Sequence, residues 1–169
     1  INCKGQLLDL SVPKVMGVLN LTPDSFYDGG KFKNEKEILN QVDKFIIDGM
    51  DILDIGAYSS RPGADDISEE EELKRQQSVL KSIVKTFPDV IISIDTFRSK
   101  VAEESINCGA HIINDISAGN LDGNMLDTVA KLQVPYVMMH MKGTPQNMKS
   151  IAQYDDLLKE VVYYFSERI

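Results

Sequence analysis

Asp95 and Thr96 stand where the run Val90-Ile91-Ile92-Ser93-Ile94 stops. That run is apolar or small and mostly β-branched, which predicts a strand buried on both faces of a parallel sheet. A carboxylate at the C-terminal end of such a strand sits at the mouth of the sheet, where α/β proteins place their chemistry. It can equally cap the helix that follows. The arrangement recurs along the chain, because Asn20, Asp54, Asn114-Asp115 and His140 mark the ends of four other apolar runs. A carboxylate accepts two N–H bonds, and an amide both donates and accepts. Two Asp and an Asn brought together could therefore read the edge of a flat, amide-bearing heterocycle. The structural alternative is that these residues cap helices and satisfy loop amides. Asp115 suits it best, since it can bond amides in its own turn. Asp54 also leaves the choice open, because it precedes the strand terminus by one residue.

Other residues offer anion and cation chemistry. Arg61 lies between Ser60 and Pro62, and a guanidinium beside a hydroxyl suits phosphate or carboxylate. Asn20, Asp24 and Asp28 supply oxygens that could hold Mg2+ directly or through water, although their spacing is not that of an EF-hand. His140 could be a base or ligand, or could simply pack among Met138, Met139 and Met141. There is no GxGxxG, no GxxxxGK[ST] and no GxSxG, which argues against dinucleotide binding, P-loop hydrolysis and a serine nucleophile.

Strands are expected at residues 15–19, 50–55, 90–94, 110–113 and 135–139. Asn34 and Glu37 have capping-box spacing, as do Ser68 and Glu71, and open predicted helices running to about residues 48 and 85. The first would face inward with Ile38, Val42, Phe45 and Ile46, the second with Leu73, Leu80, Ile83 and Val84. Further helices are predicted over 100–107 and 125–132. A last one opens at Asp155 or Asp156, with Leu158, Val161, Val162 and Phe165 inward. Residues 20–32 and 57–67 read as long functional loops. Residues 1–14 read as a lead-in with a small hairpin or edge strand. Gly56 would let backbone or ligand approach closely. The pattern is five successive βα units with no internal linker.

The 169 residues suffice for one core, with 43% apolar and 26% charged residues, the balance of a soluble globule. A formal charge of -8 argues against broad nucleic-acid binding, and no apolar run is long enough to span a bilayer. Cys3 and Cys108 are too few for a disulfide framework and have no metal spacing, so a reducing cytoplasm is expected.

Five ordered segments carry a family resemblance: MGVLNLTPDSFYDGG (16–30), DIGAYSSRPGA (54–64), SIDTF (93–97), INDIS (113–117) and MHMKGTPQNM (139–148). Together they resemble dihydropteroate synthases, folate-pathway transferases targeted by sulfonamides, and the likeness covers nearly the whole chain. It implies a TIM (β/α)8 barrel of which this chain supplies five units. It also implies condensation of 6-hydroxymethyl-7,8-dihydropterin diphosphate with 4-aminobenzoate, giving dihydropteroate and diphosphate. By this resemblance Asp54, Asp95, Asn114 and Met139 bind the pterin, with Asp95, Asp28 and Arg61 central to catalysis. Asn20, Ser60, Arg61 and Pro62 belong to the 4-aminobenzoate and diphosphate end, and Asn20 and Asp28 meet Mg2+, directly or through water. A homodimer through later helices is implied, with no nucleic-acid or membrane partner.

Two departures stand out. Ala57 and Ser60 replace the Gly and Thr of the family's usual GGxSTRPG. The later Asp-Pro-Gly-Phe-Gly-Phe segment, Lys and Arg-x-His are not in this sequence. Five strands cannot close an eight-stranded barrel, so residues 1–169 are expected to be the N-terminal part of one longer domain, inactive in isolation. The alternatives are a methyltetrahydrofolate-dependent methyltransferase-type domain, a non-catalytic pterin-binding paralogue, and a generic phosphate-binding barrel enzyme.

Overall fold

Isoleucines dominate the strands that build the sheet: Ile52 and Ile55, then Ile91, Ile92 and Ile94, then Ile112 and Ile113. Their β-branched side chains suit a pleated surface packed on both sides. In a computed structural model of the chain they form a five-stranded, wholly parallel sheet. The structure describes residues 1–3, 5–21, 27–28, 31–32, 35–58 and 67–169, excepting the side chains of Gln6, Tyr27, Asp28, Lys31 and Phe32.

The chain opens with a hairpin, β1 (Asn2–Cys3) against β2 (Gln6–Leu7). The sheet strands are β3 (Met16–Asn20), β6 (Ile52–Gly56), β7 (Ile91–Asp95), β8 (Ile112–Asp115) and β9 (Tyr136–Met138), side by side in chain order. The helices between them are α1 (Glu35–Ile47), α2 (Glu69–Thr86), α3 (Ser99–Cys108) and α4 (Met125–Leu132), and α5 (Leu157–Ser166) follows β9. The loop after β3 contains a short ladder, β4 (Tyr27–Asp28) with β5 (Lys31–Phe32), where the sequence predicted only loop.

Helix ends follow local chemistry. Ser68 accepts from the Glu71 amide at 3.2 Å, and Asp156 from the Lys159 amide at 3.0 Å. Each such cap is worth about 1 kcal/mol. Gly109, at φ +119°, ends α3 in a left-handed conformation that L side chains avoid. Asn34 lies outside the described residues.

Register divides the sheet into two faces. Val18, Asp54, Ser93 and Ile112 are partners across β3, β6, β7 and β8. Asn20, Gly56, Asp95, Asn114 and Val137 form the next row. Side chains two residues apart share a face, so both rows lie on the inner face, away from the helices. The outer face carries Leu19, Leu53, Ile55, Ile92, Ile94 and Ile113, which pack with Ile38, Val42, Val79, Leu80 and Ile83. At the N-terminal end of the inner face, Cys3 and Leu8 of the lead-in cover Ile52, Ile91 and Ile112.

Three expectations are corrected. β3 is not a buried strand: Met16 and Val18 are exposed, as is Val137 on β9. Both are edge strands, and no layer among the described residues covers their inner faces. Of the four residues expected inward in α5, Leu158 and Val162 are exposed, and Val161 and Phe165 are partly covered. In α2 the inward stripe begins with polar residues, Glu72, Arg75 and Gln76, before Val79, Leu80 and Ile83.

Candidate functional site: the C-terminal mouth of the sheet

These two inner rows place Asp54, Asp95 and Asn114 on three adjacent strands toward the C-terminal end of the sheet. Asn114 Nδ2 donates to Asp54 Oδ2 at 3.2 Å, joining residues 60 apart in sequence. Asp54 is 4% exposed, and its other oxygen, Oδ1, has no hydrogen-bond partner among the described residues. The Ser93 hydroxyl, its register partner, is buried in the same condition. Burial pushes the Asp54 carboxyl above the usual carboxylate range. The Ser93 and Asn114 dipoles oppose that shift, the Ser93 hydroxyl without reaching hydrogen-bond geometry. A buried acceptor left unpaired is unfavourable and rare, so this corner suits a donor that the described residues do not supply.

Asp95 is the more perturbed acid. Burial, then the negative charges of Asp54, Glu72 and Asp115, push it up to about 7. Gly56 separates it from β3: a methyl group there would lie 3.3 Å from Asp95 Oδ2 and 3.6 Å from Asn20 Oδ1. The missing side chain thus leaves both polar groups facing one space.

Asp115 differs. It points to the outer face, where Oδ1 accepts from the Ser117 amide (2.7 Å) and hydroxyl (2.8 Å). Its Oδ2 accepts from the Gly119 amide (2.8 Å) and the Tyr136 hydroxyl (2.6 Å). All its partners are internal, so its work is to order the turn after β8. His140 packs between Tyr154 and Tyr164, with ring centroids at 5.6 and 4.6 Å. Met139, exposed, lies beyond β9 on the strand parity of Val137 and hence on the inner side.

The structure thus assembles Asn20, Asp54, Asp95 and Asn114 at one mouth, with Met139 at its edge. It places Asp28 in β4 without describing its side chain, and Asp24, Ser60, Arg61 and Pro62 lie outside the described residues. Among the described residues no cluster of three His, Cys, Asp or Glu could hold a metal.

Sequence reasoning missed Ser93, Glu72 and Arg98. Glu72 accepts from the Thr96 hydroxyl at 2.7 Å and pairs with Arg98 at 2.5 Å. A signal existed, since Glu72, Gln76, Val79 and Ile83 form one helical stripe.

Comparison with known proteins agrees with this architecture. Residues 16–169 match the family model described as pterin binding enzyme. Dihydropteroate synthase of Escherichia coli K12 is 44% identical over 166 residues, covering 98% of this chain and 58% of that protein. The mitochondrial folate synthesis bifunctional protein of Pisum sativum is 51% identical over 152 residues, covering 87% of this chain and 29% of that protein. The crystal structure of Yersinia pestis dihydropteroate synthase with a sulfonamide drug complex superposes with a TM-score of 0.88 at 42% identity. It covers 99% of this chain and 60% of that one. The chain therefore spans between 29% and 60% of these relatives, and its sheet and helices are five units of a (β/α)8 barrel. On the match that runs from β3 to its last residue, the chain belongs to the pterin-binding enzyme family.

Proposed function

We propose that the complete protein is a dihydropteroate synthase. It joins 6-hydroxymethyl-7,8-dihydropterin diphosphate to 4-aminobenzoate and releases diphosphate. The observation that carries this reading is the Asp54–Asn114–Asp95 group, with an unpaired buried acceptor on Asp54 and an acid of raised pKa beside it. A pterin edge presents several N–H donors and ring acceptors, which two carboxyls and one amide can match. The family and the names of the relatives above favour the same substrates.

The chemistry follows from charge. As the C–O bond to diphosphate breaks, positive charge spreads from the exocyclic carbon into the ring. Fixed carboxylates at the ring edge stabilise that charge best when already in place. The arylamine then attacks the carbon and needs no strong base. Asn20 faces the same mouth and offers one amide oxygen, and the first loop carries Asp28. One or two protein oxygens plus substrate phosphates suit Mg2+, so these residues fit that ion as its protein share. When bound, it would neutralise charge on the leaving diphosphate. Arg61, with Ser60 and Pro62, would serve the diphosphate and arylamine end.

No helix among the described residues is long and apolar enough to cross a membrane. Two cysteines, Cys3 and Cys108, are too few for a disulfide framework, which favours a reducing compartment such as the cytoplasm. Assembly as a homodimer through segments outside these residues is part of the same proposal.

Diphosphate release by the complete protein, given both substrates and Mg2+, tests the reading. Release that depends on 4-aminobenzoate supports it. Tight pterin binding with no release rejects it in favour of a non-catalytic paralogue.

A further inference from the structure

Four glutamates open α2, and three of them do what first-turn carboxylates usually do, facing outward near the positive end of the helix. Glu72 does not. It is wholly buried, although a lone buried carboxylate is strongly unfavourable. Its compensation comes from one short segment. The Thr96 hydroxyl donates to Oε1 at 2.7 Å, and Arg98 Nη1 donates to Oε2 at 2.5 Å. Arg98 reaches further: its Nη2 donates to the Ile67 carbonyl at 2.6 Å. Its guanidinium also stands 5.4 Å from the Tyr58 ring centroid and 5.1 Å from that of Phe97. Tyr58 and Phe97 meet edge to face at 4.9 Å.

The placement matters because of what lies next to it. Thr96 directly follows Asp95 and Arg98 stands three residues after it, and Tyr58 follows Gly56 and Ala57 at the end of β6. Among the described residues no hydrogen bond reaches the Asp95 carboxylate, so among them its aim is set by the backbone on either side of it. On one side that backbone is the β7 ladder. On the other, the Thr96 amide donates to the Asn114 carbonyl at 3.0 Å while its hydroxyl is held by Glu72.

We propose that Glu72 is a positioning residue of the site: by clamping Thr96 and Arg98 it aims Asp95 and fixes the ends of β6 and β7 relative to one another. This rests on the synthase reading for what Asp95 binds, and on the geometry alone for how it is held. A carboxylate buried only for helix packing would also need donors, but those donors could come from anywhere around it; here both come from the segment beside the acid. Glu72→Gln keeps the shape and can still accept from Thr96, but its other terminus turns an N–H2 toward the Arg98 donors. The clamp opens there while the packing stays.

The test uses the complete protein and a pterin titration without arylamine, so binding is read apart from turnover. Well below the melting temperature of folded Glu72→Gln, the pterin Kd should rise and kcat should fall by about tenfold each, the size of loss a small misplacement produces. Arg98→Met should behave similarly. Adding it to Glu72→Gln should change either quantity by less than about twofold, because the two residues act as one unit. A folded Glu72→Gln whose Kd and kcat stay within about twofold of the parent would overturn the proposal. Should that variant not fold, Thr96→Val removes only the hydroxyl link. A Kd weakened by about threefold or more supports the clamp, and an unchanged Kd refutes it. A parent that binds pterin but releases no diphosphate refutes the synthase reading and leaves the Glu72 test intact.

Discussion

Acidification through pH 7 should expel pterin from this site, and the size of the effect follows from Asp95. Burial, joined by the charges of Asp54, Glu72 and Asp115, brings that carboxyl to about 7. Pterin N–H groups need the ionised form. The apparent Kd therefore scales as one plus the ratio of protonated to ionised Asp95. Relative to the alkaline plateau, binding should weaken about twofold at pH 7, about tenfold at pH 6 and about a hundredfold at pH 5. Stability runs the other way. The folded-state pKa is raised above the unfolded one, so the protonated acid favours the fold. That contribution is complete below the unfolded value of about 3.9 and is lost as pH rises through about 7. Asp95→Asn keeps a side chain of the same shape and carries no charge. It should raise stability at pH 8, on the order of 1–2 kcal/mol, while abolishing most pterin binding and its pH slope. The assay is a calorimetric or fluorescence titration of the complete protein with a pterin lacking the diphosphate, from pH 5 to 8. A parent Kd that changes by less than about twofold across that range would refute the reasoning. Tight binding by Asp95→Asn would do so as well.

Three further outcomes follow from other parts of the site. Gly56→Ala places a methyl 3.3 Å from Asp95 Oδ2, so pterin affinity should drop by about tenfold with under about 1 kcal/mol lost in a denaturant melt. Tyr136→Phe removes one of the donors to Asp115 on the outer face and should lower stability by about 1–2 kcal/mol, leaving the pterin Kd unchanged. Removing Mg2+ with a chelator should abolish diphosphate release but weaken binding of a diphosphate-free pterin by less than about twofold, because the proposed ion serves the leaving group.

Strand identity and order could be read from the sequence because each sheet strand is a short apolar, mostly β-branched run with a polar end. Boundaries shifted by one or two residues. The run ending at Ile94 extends to Asp95, and that ending at Leu19 extends to Asn20, since the backbone ladder continues beneath the polar residue. Asp54, Asp95 and Asn114 were legible as a group because all three sit at or near the ends of apolar runs, although Asp54 lies in the middle of β6, two residues before its end. Their common face was not: it depends on register, which no local pattern states. Asp115 and Asn114 are adjacent, yet strand alternation sends them to opposite faces and opposite roles. Glu72 escaped notice because a glutamate among four at a helix start reads as solvated. Its place on one stripe with Gln76, Val79 and Ile83 hints at burial, and the donors that make burial possible, Thr96 and Arg98, come from the segment after β7, far off in sequence. Leu158 and Val162 were misread because an amphipathic stripe tells which residues are apolar, not whether another element covers them.

The most direct test is a crystal structure of the complete protein with a pterin bound. The ring edge should lie on the inner face of the sheet, with its N–H groups on the Asp54 and Asp95 carboxylates and the Asn114 amide alongside. A pterin seated elsewhere, against Asp115 and Tyr136 on the outer face or beside His140, would contradict the account.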